Sequence, residues 1–592
     1  MIRNTARIIG TAVLAMGVLL LCKLPLAAED LKPTVNTATA SGVTPRLDEL
    51  AKLPQPLQMG FHEMPPLRVI PKPNYGHPVD PVEQRGTVAP STNYSIIANI
   101  LGVGNGFPGY TVPDAPPDTN MAVGGNLPDG SPGQILQWVN VSYTICSKAS
   151  PYTCGPAILG NTLWAHGIPG TLCANNNSGD ILAQYDRTAN RWFLSQNVFV
   201  MPYATCIAIS DTSDANGTWH VWQFRVPNNG FPDYPKIGIW PTSGVNNGYY
   251  QAQNNFGIGG ESFLGPEVCA YDRSAMLSGA PSPTQICIQL PIGPNCDSQG
   301  IGCQDSLLPG DLDSILGPPN TPAGTPQDEF YIGSVNDVDN SHLSLYQFHA
   351  DFRTPANSFL LGSPNTILQP VPTYGGSCSG YFGGGCVPSL GDPMDSLGDR
   401  LMYRFVYYNN GPAPSGGACA TCQTPHFQHW YVNGDVESST GQIGVRWYEF
   451  RAPTMPGIGT LTSSTLTTYQ AGTYVGVPAD ENYRWMGSVA ADKAGDICVG
   501  YSKSSASTNP AIDVACRQNN DPVGLNNLEP ETLVVQGNGS QIYTAGRWGD
   551  YSAMRIDPVD NCTFWYTSEY YMVTQSFDWS TQMASIQVNG CH

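Results

Sequence analysis

Apolar positions in this chain come in short runs or alternate with polar ones, and few stretches carry helical spacing. From about residue 114 one unit recurs. A charged residue precedes a short apolar strand, a turn follows, and a second strand rich in Tyr, Trp and Val comes next. The unit reads seven times: Pro117–Val123 with Ile135–Val139, Gly179–Asp186 with Arg191–Leu194, Asp233–Trp240 with Gly248–Gln251, Asp328–Ser334 with Leu343–Tyr346, Asp399–Phe405 with His429–Val432, Arg484–Ala490 with Ile497–Tyr501, and Arg547–Met554 with Thr563–Tyr566. The joining turns hold Asp, Asn, Gly and Pro, as in Asp492-Lys493-Ala494-Gly495-Asp496 and Asp557-Pro558-Val559-Asp560-Asn561. These are hairpin signals.

Strand pairs repeated at intervals of tens of residues mean blades or a solenoid. The spacing is too irregular for a solenoid. A β-propeller tolerates long insertions because they hang off the blade ends. The Gly-, Pro- and Cys-rich stretches near 290–327, 362–394 and 408–427 fit that role. The reading is an all-β chain with a single propeller over residues 101–592. Seven blades are expected; six and eight stay open, because the outer strands are hard to count. The strand near Ser585-Ile586-Gln587-Val588 should lie beside strands from the start of the domain, since closing a ring removes exposed edges.

The chain starts differently. Arg3 and Arg7 precede an apolar run from Ile8 to Leu21, and small residues reach Ala28 ahead of Glu29-Asp30. That order describes a secretory signal peptide over residues 1–28. The apolar run is short for a bilayer, and no later stretch of membrane length follows. Residues 29–100 carry Leu53-Pro54-Gln55-Pro56 and Met64-Pro65-Pro66-Leu67 and read as a Pro-rich, largely disordered leader. A secreted monomer, extracellular or periplasmic, is expected.

Cysteine count agrees with export. Of 17 Cys, loss of Cys22 with the signal leaves 16. They fall in neighbouring couples: Cys146/Cys154, Cys173/Cys206, Cys269/Cys287, Cys296/Cys303, Cys378/Cys386, Cys419/Cys422, Cys498/Cys516 and Cys562/Cys591. Local pairing is the simplest reading of eight disulfides, although spacing alone does not fix connectivity. Charged residues make up 12% of the chain and the net charge is −20, which repels phosphate backbones and sets nucleic acid aside as a partner.

The last 110 residues carry Arg484-Trp485-Met486-Gly487-Ser488, Gly500-Tyr501-Ser502, Arg547-Trp548-Gly549-Asp550-Tyr551-Ser552-Ala553-Met554 and Cys562-Thr563-Phe564-Trp565-Tyr566. With Asp233-Tyr234-Pro235-Lys236-Ile237-Gly238 they resemble a family of exported bacterial proteins with no assigned activity, related in pattern to the sialidase-type (Asp-box) propellers. The resemblance implies a propeller and export. One Asp-box-like turn, Ser213–Trp219, is a residue short of the pattern, and Phe224-Arg225-Val226-Pro227 follows it rather than preceding it. A sialidase needs three Arg around a carboxylate and a Tyr nucleophile with an acidic partner. Arg400, Arg484 and Arg547, with Tyr551 and Glu569, would supply them. The structural alternative pairs these Arg with Asp399, Asp496 and Asp550.

Other chemistry is thinner. Cys419-Ala420-Thr421-Cys422 with His426 and His429 has zinc residue types, but a disulfide suits an oxidising compartment better. Asp311, Asp313, Asp337 and Asp339 are candidate calcium ligands, with turn chemistry as the plain reading; otherwise no cofactor is expected. Trp138, Trp192, Trp240, Trp485, Trp548 and Trp565 could stack on sugars or simply pack between blades. In a propeller, residues at one phase of each repeat meet around the axis. The charged strand starts (Asp118, Asp180, Asp233, Asp328, Asp399, Arg484 and Asp550) are therefore expected to converge. The functional face is expected at Asp233, Asp399, Arg400, Arg484, Arg547, Asp550 and Tyr551. It would bind a glycan or a protein without catalysis; sialidase-type hydrolysis is the alternative. No catalytic residue is assigned.

Overall fold

The computed structural model describes residues 31–53, 62–63, 70, 78–84, 92–260, 262–292, 304–320, 324–334, 340–362, 367–376, 385–410, 428–452, 457–476, 480–543 and 546–591. The expected signal peptide lies outside them. The described chain is all-β, with a few helices of one or two turns.

Seven strands form the inner layer: β1 (Thr119–Val123), β2 (Leu182–Asp186), β3 (Phe231–Trp240), β4 (Leu308–Leu312), β5 (Leu401–Asn409), β6 (Tyr483–Ala491) and β7 (Ala553–Ile556). Each begins an antiparallel meander. From β2 the sheet continues through Arg191–Val198, Ala204–Ser210 and Trp219–Arg225. From β6 it continues through Ile497–Ser505, Thr508–Arg517 and Thr532–Gln536. β4 and β5 also pair with each other in parallel, Gly310 opposite Phe405, which joins two meanders into one sheet. β1 packs beside β2, and so on through β7, which packs beside β1.

The strands are buried on both faces. Every residue of β3 and of its partner Gly248–Phe256 is buried. Stacked sheets hide both sides of a strand, so apolar runs replace strict alternation. Trp138, Trp192, Trp240, Trp485, Trp548 and Trp565 are all buried, which assigns them to packing rather than to a stacking surface.

One inner strand departs from the sequence reading. The fourth meander opens on Leu308–Leu312, and the expected Asp328–Ser334 strand lies one step outward as Glu329–Ser334. Leu308-Pro309-Gly310-Asp311-Leu312 hides because Pro and Gly disrupt the strand pattern. The strand packs closely on its neighbour: a Cβ on Gly238 would collide with the Gly310 carbonyl, and one on Gly310 would crowd Glu329 and Trp240.

The leader also differs. Thr34–Thr37 adds antiparallel to Thr284–Gln289, and Ala40–Val43 adds to Trp219–Arg225. Leu47 and Leu50 are buried by the short helix Leu47–Leu50. Farther on, Asp80 pairs with Arg446 at 2.7 Å with both side chains fully buried. Outer strands offer unpaired N–H and C=O groups, and a short extended segment can satisfy them without a core of its own. Tyr94–Leu101 pairs along the final strand, Ser580–Val588, as the ring argument expects.

Five disulfides join Cys146–Cys154, Cys173–Cys206, Cys269–Cys287, Cys498–Cys516 and Cys562–Cys591. Two of them, Cys269–Cys287 and Cys498–Cys516, link residues directly opposite on adjacent strands. Cys386 is also disulfide-bonded. Cys296, Cys303, Cys378, Cys419 and Cys422 lie outside the described residues.

Candidate functional site

The chain enters several inner strands through a left-handed residue. Asp118, Asp180, Tyr234, Ser306 and Met486 have φ between 43° and 55°. For an L-residue this conformation costs about 1–2 kcal/mol, least for Asp and Asn. Such steps persist where surrounding structure imposes them, often at functional sites. Three of them, Asp118, Asp180 and Tyr234, stand at one site.

Carboxylate oxygens of Asp118, Asp180 and Asp550 lie within 4.8 Å of one another. Asp118 and Asp550 are buried, and Asp180 is partly exposed. Backbone and amide donors hold them. Asp550 N donates to Asp118 Oδ1 at 2.8 Å, and Asn140 Nδ2 donates to Asp118 Oδ2 at 3.2 Å. Tyr234 N donates to Asp180 Oδ2 at 3.1 Å. Asp180 N in turn donates to Asn140 Oδ1 at 3.3 Å, so Asn140 ties the first two sheets together.

Cations and rings surround the trio. Arg547 Nη2 donates to both oxygens of Asp550, at 3.0 and 3.2 Å. Lys236 is fully buried; its Nζ donates to Pro235 O and stands 3.4 Å from the Tyr234 ring centre and 4.2 Å from that of Tyr551. Arg400 lies 4.6 Å from the Tyr234 ring centre and grips Asp399 with two hydrogen bonds of 2.8 and 2.7 Å. Asp233 is buried and interacts electrostatically with Asp180 and Arg547. Glu569 Oε1 accepts from Gly549 N at 2.7 Å.

Electrostatics follow from this crowding. Burial, then Asp233 and Asp550, push the Asp180 carboxyl up to about 7. Burial, then Asp550 and Asp180, hold Asp118 well above the usual carboxylate range. Burial raises Glu569 to about 8 and lowers the Lys236 amine to about 7. Carboxyls this close ionise together only where positive charge compensates them.

Of the residues expected at this face, Asp233, Asp399, Arg400, Arg547, Asp550 and Tyr551 come together. Arg484 does not. It is buried between Asp480 and Glu531, with its Nε 2.8 Å from Glu531 Oε2 and its Nη2 2.9 Å from Asp480 Oδ2. An Arg buried in its own sheet satisfies its charge there, so equivalent sequence phase did not mean equivalent direction. The alternative pairings hold for Arg400–Asp399 and Arg547–Asp550, while Asp496 is not the partner of Arg484. Asp328 is also elsewhere, 2.6 Å from His349 Nδ1.

The sialidase arrangement is not assembled among the described residues. Two of its Arg are taken by Asp, and the third is remote. Tyr551 Oη donates to Ile181 O at 3.1 Å, whereas the Glu569 carboxylate is held by Gly549 N. The calcium reading fails at Asp311 and Asp313, whose oxygens are taken by arginine. Arg404 Nε lies 2.6 Å from Asp311 Oδ2, Arg555 Nη1 lies 3.1 Å from that oxygen, and Arg404 Nη1 and Nη2 each lie 2.8 Å from Asp313. Asp337 and Asp339 lie outside the described residues. So does most of the zinc motif; its His429 Nδ1 lies 2.8 Å from Glu449 Oε1.

Asp118 and Asp180 were legible as repeated strand starts. Tyr234, Lys236, Asn140 and the site role of Glu569 were not. Asp233-Tyr234-Pro235-Lys236 was visible as a motif, but nothing in one sequence says that Lys236 turns inward. No helix among the described residues is long and apolar enough to cross a membrane.

No family model matches the chain, and no curated protein matches it. The family resemblance therefore stands on the motifs quoted for it. Among solved structures the chain is similar to the WD40 domain of SCAP from fission yeast, at 9% identity over 78% of this chain and 83% of that one, with a TM-score of 0.31. It is similar to a Hadza microbial sialidase at 8% identity, over 76% and 73% of the two chains, with a TM-score of 0.32. It is also similar to an α-L-arabinofuranosidase from Lactobacillus brevis at 9% identity, over 60% and 89%, with a TM-score of 0.25.

Proposed function

We propose that this chain is a secreted, seven-bladed β-propeller that binds a glycan at the axis, without hydrolysing it. The cyclic contacts of β1 through β7 and the pairing of Tyr94–Leu101 with Ser580–Val588 support one ring of seven blades. The observation that carries the binding reading is the meeting of Asp118, Asp180 and Asp550, from three different sheets, within 4.8 Å. Sugar hydroxyls are donors, and carboxylates accept them with charge-assisted hydrogen bonds. Asp180, the partly exposed member, is the point of access. Loss of the Tyr–Glu pair and the three-Arg clamp argues against sialidase-type turnover.

The test is a glycan array with the secreted protein, followed by calorimetry of the hits and an assay with chromogenic glycosides. Asp180→Ala should lower affinity at least about tenfold, roughly 1.4 kcal/mol, with the melting temperature little changed. Arg484→Ala should instead lower stability, because it strands Asp480 and Glu531. Turnover of any glycoside, or full affinity in Asp180→Ala, overturns the reading.

A further inference from the structure

Resting on that glycan reading, we infer that the axial trio recognises an ammonium group, so the ligand is an amine-bearing saccharide of the glucosamine type. The geometry leaves a place for positive charge. Among the described residues, neither Asp118 nor Asp180 forms an ion pair. Arg547 spends Nη2 on both oxygens of Asp550. Lys236, a further nearby cation, acts on Asp180 through space but directs Nζ to Pro235 O and to the rings of Tyr234 and Tyr551.

A second feature points the same way. Glu569 is 2% exposed, and its Oε2 is buried without a hydrogen-bond partner. Its Oε1 is fixed by Gly549 N, next to the Asp550 N that binds Asp118, and its carboxyl interacts with Asp550 and Arg547, so this carboxyl stands beside the trio. An acceptor buried without a donor costs about 1–3 kcal/mol, and a ligand donor relieves that cost.

The donor count favours ammonium over a bare cation. An ammonium carries three N–H donors and asks for three acceptors. Asp118, Asp180 and Asp550 each offer one oxygen within reach of the others. Calcium takes six to eight oxygens. Both oxygens of Asp118 and both of Asp550 already accept N–H groups, which leaves them poor at wrapping a metal.

The charged groups around Asp180 are Asp118, Asp233, Asp550, Lys236 and Arg547, with Asp399, Arg400 and Glu569 behind them. A ligand cation favours the ionised carboxyls. Binding near neutral pH should therefore release protons.

Isothermal titration of the full mature chain tests this with four probes: glucosamine tetrasaccharide, N-acetylglucosamine tetrasaccharide, cadaverine and calcium chloride. The expected result is at least tenfold tighter binding of the free-amine sugar than of its N-acetylated form. Its enthalpy should vary with buffer ionisation, as proton release requires, and its affinity should fall at least tenfold in Asp180→Asn and in Glu569→Gln. Equal binding of both sugars overturns the ammonium inference and leaves the glycan reading standing. Cadaverine binding with neither sugar bound keeps the ammonium site and overturns the glycan reading. Binding of calcium alone overturns both, as does no binding at all.

Discussion

The inner strands carry charge at two levels, and the two are built oppositely. At the strand starts, Asp118, Asp180, Asp233 and Asp550 crowd together with two nearby cations, one of which, Lys236, faces rings. Farther along, Asp311 and Asp313 are saturated by Arg404 and Arg555, with Gln184 and Ile239 N filling the remaining acceptor sites of Asp311. A cavity of about 20 Å³ lies at that level, lined by Gln184, Asp311, Asp313, Arg404 and Arg555. Saturated networks hold elements in register; an acid-rich corner with open acceptors is unstable on its own terms and suits a ligand. The inner strands thus set a fastening level apart from the level at which binding is proposed.

The comparison breaks most visibly at Arg404. Arg404→Ala leaves Asp311 and Asp313 buried with little compensation, and the cost should be about 3–5 kcal/mol in denaturant unfolding. A loss below 1 kcal/mol would mean that this level fastens nothing. The pH profile comes next. The Asp180 and Glu569 carboxyls are raised in the folded state, to about 7 and about 8. Raised acids contribute stability that is complete below their unfolded values, near pH 4, and lost as pH rises through the folded ones. Stability without ligand should decline between about pH 4 and pH 8, and the double change Asp180→Asn, Glu569→Gln should flatten that decline. A profile unchanged by the double change would deny the raised values. The smallest effect sharpens the contrast by sign. At pH 7 Asp180→Asn should stabilise the protein, because it removes a raised carboxyl, whereas Asp311→Asn should destabilise it. Melting curves of the two variants side by side decide the matter.

Much of this is legible in the sequence. Six of the seven inner strands stand out because apolar and aromatic runs end in turns that hold Asp, Asn, Gly or Pro. β4 does not, since Pro309 and Gly310 break the pattern, and its close packing on Gly238 of the neighbouring inner strand leaves no periodic signal. The strands Thr34–Thr37 and Ala40–Val43 are short and polar, and their pairing energy comes from edges hundreds of residues away. For the site, repetition brought out the Asp and Arg residues at strand starts. It could not say which of them face the axis: Arg484 is as buried as Arg547 but turns into its own sheet. Lys236 was missed because charge buried against rings has no periodic signature.

The last strand has a consequence for how the molecule is made. Ser580–Val588 joins Tyr94–Leu101, so Leu101 waits for Gln582, with nearly the whole chain between them. The other sheets build their inner strands from neighbouring hairpins, with Thr34–Thr37 and Ala40–Val43 added only at outer edges. The seventh has no complete edge until the final residues are available, and distant pairings of this kind are slow. Until then Tyr94–Leu101 and Thr563–Tyr570 present open edges, the form in which β proteins join the wrong chain. A product truncated before Ser580 should therefore aggregate rather than persist as a slightly smaller soluble protein.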